Sequence, residues 1–199
     1  MEYHLIGNGK SAGLYDFDSK GIKYTCNLPP FAVPDAKATF IVDFKMCQAI
    51  HEGSVTVPGM WICGARPKKY SEMMPNWYMK HAHQIKEFYL ELPPYVANYT
   101  DFNCGHMAAH YLCNKVGVKN LNMYGFDSIF EFDLFSTTDL FLNSDRSQAN
   151  GVRLTGNWRP IWAKMFEEFS DVKFKLHYMK NTPPKIKLPD NVEIVTPKK

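Results

Sequence analysis

Gly7-Asn8-Gly9-Lys10-Ser11-Ala12-Gly13, directly after the apolar run Tyr3-His4-Leu5-Ile6, is the stretch on which the fold turns. Its Gly9-Lys10-Ser11 imitates the end of a P-loop, but that motif needs a glycine five positions before Gly9, where His4 stands. The same residues satisfy G-x-G-x-x-A as Gly7, Gly9 and Ala12, a pattern that lets a pyrophosphate approach bare backbone at the start of the following helix. In a dinucleotide fold the next strand ends, ~20 residues on, in an acid that binds ribose hydroxyls. Here the run Ile22 to Cys26 ends in Asn27, which offers a donor and an acceptor without charge and so suits a base or ribose beside an anionic phosphate. A plainer reading stands beside this one: the glycines make a tight turn and Asn27 caps the turn into Pro29.

Outward from this loop, short apolar runs alternate with segments at helical spacing, the pattern of parallel strands joined by helical crossovers. The runs are Tyr3 to Ile6, Ile22 to Cys26, Ala38 to Phe44, Met60 to Cys63, Asn120 to Tyr124 and Val172 to Tyr178. Ala38 to Phe44 is almost continuously hydrophobic, as strands covered on both faces are. Residues 106–116 read as a helix capped by Asn103 and ended by Gly117. Trp158, Ile161, Trp162, Met165, Phe166 and Phe169 mark a second helix, with Thr155 or Asn157 as cap and Pro160 in its first turn. Pro67, Pro75 and Pro93-Pro94 interrupt residues 65–95, where a helix is expected over about Asn76 to Leu90. The Pro- and Lys-rich residues 181–199 read as a surface strap. The expectation is one domain, 1–180, with a three-layer, Rossmann-like α/β fold, a mostly parallel sheet and a lid-like insertion over 125–155.

Composition narrows the function. The chain has 199 residues, 45% hydrophobic and 22% charged, enough for a full core. Its net charge of +3 resides in residues 180–199, which leaves the body neutral and argues for small ligands over a nucleic-acid polymer. No run approaches the ~20 apolar residues of a membrane span, and no secretory leader is read at the N-terminus. Five widely spaced cysteines without a C-x-x-C pair signal neither a disulfide framework nor a zinc ribbon, and fit a reducing cytoplasm.

In open α/β sheets ligands sit beyond the carboxyl ends of the strands. That rule selects Asp43, after Phe40-Ile41-Val42, and Asp127, in Tyr124-Gly125-Phe126-Asp127. Asp127 can orient a hydroxyl, act as a base or hold a metal, and an Asp just past a strand is equally an ordinary turn residue. Asn103-Cys104-Gly105 opens a helix, whose amides and dipole suit an anion, or which is simply capped.

Leu5 to Ser11, Tyr24-Thr25-Cys26-Asn27, Phe40 to Asp43, Asn103-Cys104-Gly105 before a small-residue helix, and Leu121 to Asp127 together resemble the bacterial sialyltransferases of glycosyltransferase family 42. The resemblance covers residues 3–44 and 98–178. It implies a single Rossmann-like domain with a late lid that binds a cytidine monophosphate sugar and requires no other cofactor. It also implies that Gly7, Asn8 and Gly9 cradle the nucleotide phosphate and that Asn27 sits by the sugar or phosphate. Asp43 stands where the family has an Asn near the nucleotide, and Asn103, Cys104 and Gly105 stand for a Thr-Ser-Gly turn. The departures fall on catalysis. The family's general-base His maps near Gly156-Asn157, yet no His lies between His110 and His177. The paired Tyr after the fifth strand has no counterpart in Ser128-Ile129-Phe130, and the Arg before the Thr-Ser-Gly turn aligns with Asp101.

The sequence therefore reads as a glycosyltransferase-like protein that uses another base, with Asp127 favoured and Asn157 and Arg159 as contacts to phosphate or acceptor. A non-catalytic nucleotide-binding or sequestering module, of the kind a virus or mobile element carries, is the rival. A nucleotide hydrolase or lyase is the third reading. His106 and His110, with His81 and His83, lack the Glu of a zinc helix, so no metal is expected. Cys104 reads as a buried thiol or as a nucleophile at a helix N-terminus. Ser136-Thr137-Thr138 offer donors to a sugar, within a stretch where acids alternate with Phe.

Overall fold

The computed structural model describes residues 1–92, 95, 102–182 and 186–197. Asp101 and Pro93-Pro94 lie outside them. Eight strands form one sheet in the order β5-β4-β3-β2-β1-β6-β7-β8, and every neighbouring pair is parallel. The strands are β1 (Tyr3–Ile6), β2 (Ile22–Cys26), β3 (Ala38–Ile41), β4 (Trp61–Cys63), β5 (Ile85–Phe88), β6 (Asn120–Tyr124), β7 (Lys173–His177) and β8 (Val192–Val195). The chain winds from β1 out to β5, then returns to lay β6 on the other side of β1. The reversal leaves a crevice between the loops that follow β1 and β6, the place where open sheets bind ligands.

Register divides the sheet into two unlike faces. One carries Leu5, Tyr24, Phe40, Ile62, Leu121, Met123, Phe174 and Leu176, all buried. Two helices cover it: α4 (Cys104–Tyr111) through Met107 and Ala108, and α6 (Gln148–Glu168) through Ile161, Trp162, Met165 and Phe166. Each large side chain buried there contributes ~1.5–3 kcal/mol. The other face has two apolar patches: over β3 and β4, Ile41, Trp61 and Cys63 meet Met46, Cys47 and Ile50 of α1 (Phe44–His51) and Trp77 of α3 (Pro75–His81), and over β1, Ile6 meets Ala12, Tyr15 and Tyr124. At its centre stand His4, Lys23, Thr25, Thr39, Asn122 and Tyr124, buried polar groups that are bonded to one another or to neighbouring loops. Thr25 and Thr39 share a hydroxyl contact of 2.7 Å, and His4 Nδ1 lies 3.1 Å from the Tyr124 hydroxyl. Helices on both faces make the three layers.

Four expectations change. Residues 192–195 are not strap but the eighth strand, their backbone matched to β7. The helix expected over 76–90 stops at His81, and residues 85–88 pair with β4 as the edge strand, since Trp77 and His81 alone need the helical face against Trp61. The run from Ala38 leaves the sheet after Ile41, and Phe44 begins α1. The long helix starts at Gln148, capped by Ser147, whose side chain accepts from Asn150 N–H, so Pro160 lies in its interior. Pro160 there costs ~3 kcal/mol, offset by the four large side chains that follow it, and the carbonyl it leaves free belongs to exposed Gly156. α2 (Ala65–Met73) was hidden among the prolines.

Candidate functional site

A cleft of about 410 Å³ opens at the reversal point. Gly7, Asn8, Gly9, Lys10, Asn27, Asp43, Asn103, Cys104, Gly105, Asp127 and Asn157 all line it, so most candidates from the sequence converge. Ser11 lies below the surface and Arg159 lies to one side.

The glycine loop is already bonded to the protein. Gly7 N–H donates to Tyr124 O at 2.7 Å, Gly9 N–H to Gly125 O at 2.9 Å, and Ser11 N–H to Asp127 Oδ2 at 3.0 Å. Ser11 Oγ donates to the other Asp127 oxygen and accepts from Met179 N–H. Asp127 thus occupies the position an anion would take at the start of the short 3₁₀ turn Lys10–Leu14, the only helix-like element between β1 and β2. The glycines answer to this packing. A Cβ on Gly9 would lie 2.7 Å from Gly125 O, and one on Gly7 would lie 3.1 Å from the Phe126 ring. Among the described residues, only the Asn8 and Lys10 amides of the segment Gly7–Ser11 have no protein acceptor.

The head of α4 is built differently. Asn103 Oδ1 accepts from His106 N–H at 2.9 Å, and His106 Nδ1 accepts from Asn103 N–H at 3.0 Å, a reciprocal capping box. Among the described residues no protein group takes the Cys104 and Gly105 amides, which border the cleft with the positive end of the helix dipole. Phe126 connects the two loops: a Cβ on Gly105 would lie 2.6 Å from its ring. Beside them Asn27, 8% exposed, holds its backbone at φ +52°, and its Oδ1 is buried without a partner. Such an orphaned acceptor in a cleft is a place for a ligand hydroxyl or N–H.

Charges in the cleft are mostly paired. Arg66 Nη1 lies 3.3 Å from Asp43 Oδ1 while Nη2 donates to Phe102 O at 2.9 Å. Burial raises the Asp43 pKa, and Arg66, Lys45 and Arg146 only partly oppose it. Burial also raises Glu131, but hydrogen bonds from Lys180 and Tyr178 outweigh it and hold that carboxyl below its ordinary value. Arg146 grips Asp139 with two nitrogens at 2.8–3.0 Å. Lys10, 5.6 Å over the Phe135 ring, and Arg153, bonded to neutral Asn150, have no carboxylate partner among the described residues.

Comparison with protein-family models, curated proteins and solved structures finds no match. The site is therefore read from its own residues. Residues 131–158 close one side, and Thr137 N–H docks them on Asn8 O at 2.9 Å. Ser136 and Thr138 line the cleft, while Arg159 stacks 4.1 Å over Phe132. Cys104 is a buried thiol, bonded to Phe40 O at 3.1 Å, with its pKa raised by burial and by Cys26. That is the opposite of an activated nucleophile. All five cysteines are free and buried. His110 Nδ1 lies 2.6 Å from the Tyr89 hydroxyl and His106 Nε2 3.2 Å from Trp158 O, so both rings serve packing. Sequence reasoning missed Arg66, Arg146, Arg153 and Phe126. The one available signal was Ser147 ahead of Gly151 and Thr155, small residues at helical spacing before Trp158.

Proposed function

We propose that the chain is a glycosyltransferase-like protein that binds a nucleotide or nucleotide sugar in this cleft. The observation that carries the reading is the coexistence, in one crevice at the strand ends, of unspent amides at Asn8, Lys10, Cys104 and Gly105 with the orphaned Asn27 Oδ1. The donors fit a phosphate and the acceptor fits a sugar or ribose hydroxyl. Lys10 and Arg153 supply the countercharge. A cytidine monophosphate sugar is the donor to try first, on the resemblance described above. Because Ser11 engages both Asp127 oxygens, we assign the proton of an acceptor hydroxyl to Asp43, which lines the same cleft with its carboxyl part-exposed beside Arg66.

The second reading is a binding module without transfer. It is favoured by the engagement of Asp127 and by the absence of His from the cleft lining among the described residues. Calorimetric titration with cytidine and uridine monophosphates and their sugars, with chromatography of the same mixtures, separates the two. Acceptor-dependent donor consumption that Asp43→Asn abolishes supports transfer, and binding without consumption supports the module. Consumption without acceptor makes the chain a hydrolase, and no binding refutes both readings.

A further inference from the structure

We infer that the outer surface of α2 and α3 is a docking face for an anionic lipid bilayer. Residues 65–86 hold five basic side chains against Glu72 alone, more net positive charge than the +3 of the entire chain. Arg66 turns into the cleft and Lys68 pairs with Glu72 at 2.8 Å. Lys69 of α2, Lys80 of α3 and Lys86 on the adjoining edge strand are exposed and have no carboxylate partner among the described residues. Among these lysines stand Met73, 61% exposed, Met79, 76% exposed, and Tyr78, 40% exposed.

The two helices lean on the sheet with their other sides. Trp77 is buried 6.2 Å from Trp61 and 5.0 Å from Tyr70, so the apolar residues outside are surplus to the core. Lys69 and Met73 are four apart on α2 and share its outer face, as the exposure of both shows. Long lysine stems with charged ends beside flexible methionines and a tyrosine are the composition of a bilayer interface, where the ammonium groups reach lipid phosphates while the apolar tips enter the headgroup region. Exposed Glu72 and Asn76 interrupt the apolar tips, which a wet lipid surface tolerates and the dry centre of a protein interface does not. Among the described residues no helix is long and apolar enough to cross a membrane, so the contact is peripheral.

The test is co-sedimentation of the full chain with vesicles of phosphatidylcholine alone or mixed equally with phosphatidylglycerol. Binding is expected only to the mixed vesicles and should weaken with added salt. Each lysine near an anionic surface is worth about fivefold in partitioning, so the triple substitution Lys69→Gln, Lys80→Gln, Lys86→Gln should cut binding about a hundredfold. Met73→Ser with Met79→Ser should reduce it about tenfold at unchanged salt dependence. All five positions are exposed, so the variants keep the fold, and nucleotide affinity in the cleft should stay at the parental level. Three results overturn the inference: no binding to mixed vesicles, binding that survives the triple substitution, or self-association through the methionines without lipid. The cleft reading stands or falls by its own titration.

Discussion

Two loops meet on the ring of Phe126, and they have spent their amides in opposite ways. After β1, Gly7, Gly9 and Ser11 donate to Tyr124, Gly125 and Asp127, so the loop that looks most like a phosphate cradle is largely a clasp between β1 and β6. At the head of α4 the cap closes on itself through Asn103 and His106, and the Cys104 and Gly105 amides remain available. A glycine motif reports close approach of something to the backbone; here that something is in large part the protein's own Asp127 and Phe126. The anion-binding capacity of the cleft therefore moves toward α4, with Asn8 and Lys10 as the contribution of the β1 loop.

Acid should separate the two loops most strongly. Burial holds His106 at about 3 and His110 at about 4, below the ordinary ~6.5, with the bond to Trp158 O partly opposing the shift of His106. Both are neutral in the fold and take up protons more readily when unfolded, so their contribution is complete above about pH 6.5 and lost as pH falls toward 4. A loss of up to about 3 kcal/mol for each is expected in urea titrations across that window. His177, also held at about 4 by burial, His4 and Lys175, acts in the same direction. Protonating His106 Nδ1 removes the acceptor of Asn103 N–H, so ligand affinity should fall before the β1 clasp opens. Affinity retained in folded protein below about pH 3, where His106 takes up its proton, would remove α4 from the account.

Gly9→Ala comes next. Its Cβ would press on Gly125 backbone, which cannot yield, and a loss of about 3 kcal/mol is expected by thermal or urea unfolding. The nearest atoms to a Cβ in Gly105→Ala are side-chain atoms of Phe126 and Asn103 and not neighbouring backbone, so a loss nearer ~1 kcal/mol is expected. Equal losses would show that the two loops are equally braced. Asp127→Ala leaves Ser11 N–H buried without its acceptor and should cost about 2 kcal/mol while nucleotide affinity changes less than about threefold. Asn27→Gly is the smallest in stability, because glycine accepts φ +52° freely, yet it should weaken a nucleotide sugar about tenfold. If affinity is untouched, the orphaned Oδ1 has no ligand.

The sheet was largely legible because its central strands are buried on both faces and bounded by turn residues, as at Ile6-Gly7, Cys26-Asn27 and Tyr124-Gly125. The edges were not. β5 and β8 carry exposed Lys86 and Glu193 and mix polar with apolar residues, so nothing local distinguishes them from loop. The start of α6 was hidden because Pro160 imitates a first turn, and only packing on the sheet explains its place inside the helix. Position rules at strand ends brought Asp43, Asn27 and Asp127 to one cleft. Whether a loop amide faces a ligand or a neighbouring carbonyl depends on tertiary pairing that no spacing encodes, which is why Gly7, Gly9 and Ser11 read as a cradle.

The most direct measurement is a crystal structure of the chain with a bound nucleotide. The account predicts a phosphate within hydrogen-bonding reach of the Cys104 and Gly105 amides, a ligand hydroxyl or N–H on Asn27 Oδ1, and Asp127 still bonded to Ser11. A phosphate seated on Gly9 and Ser11 with Asp127 displaced, or a nucleotide bound outside the cleft, would contradict it.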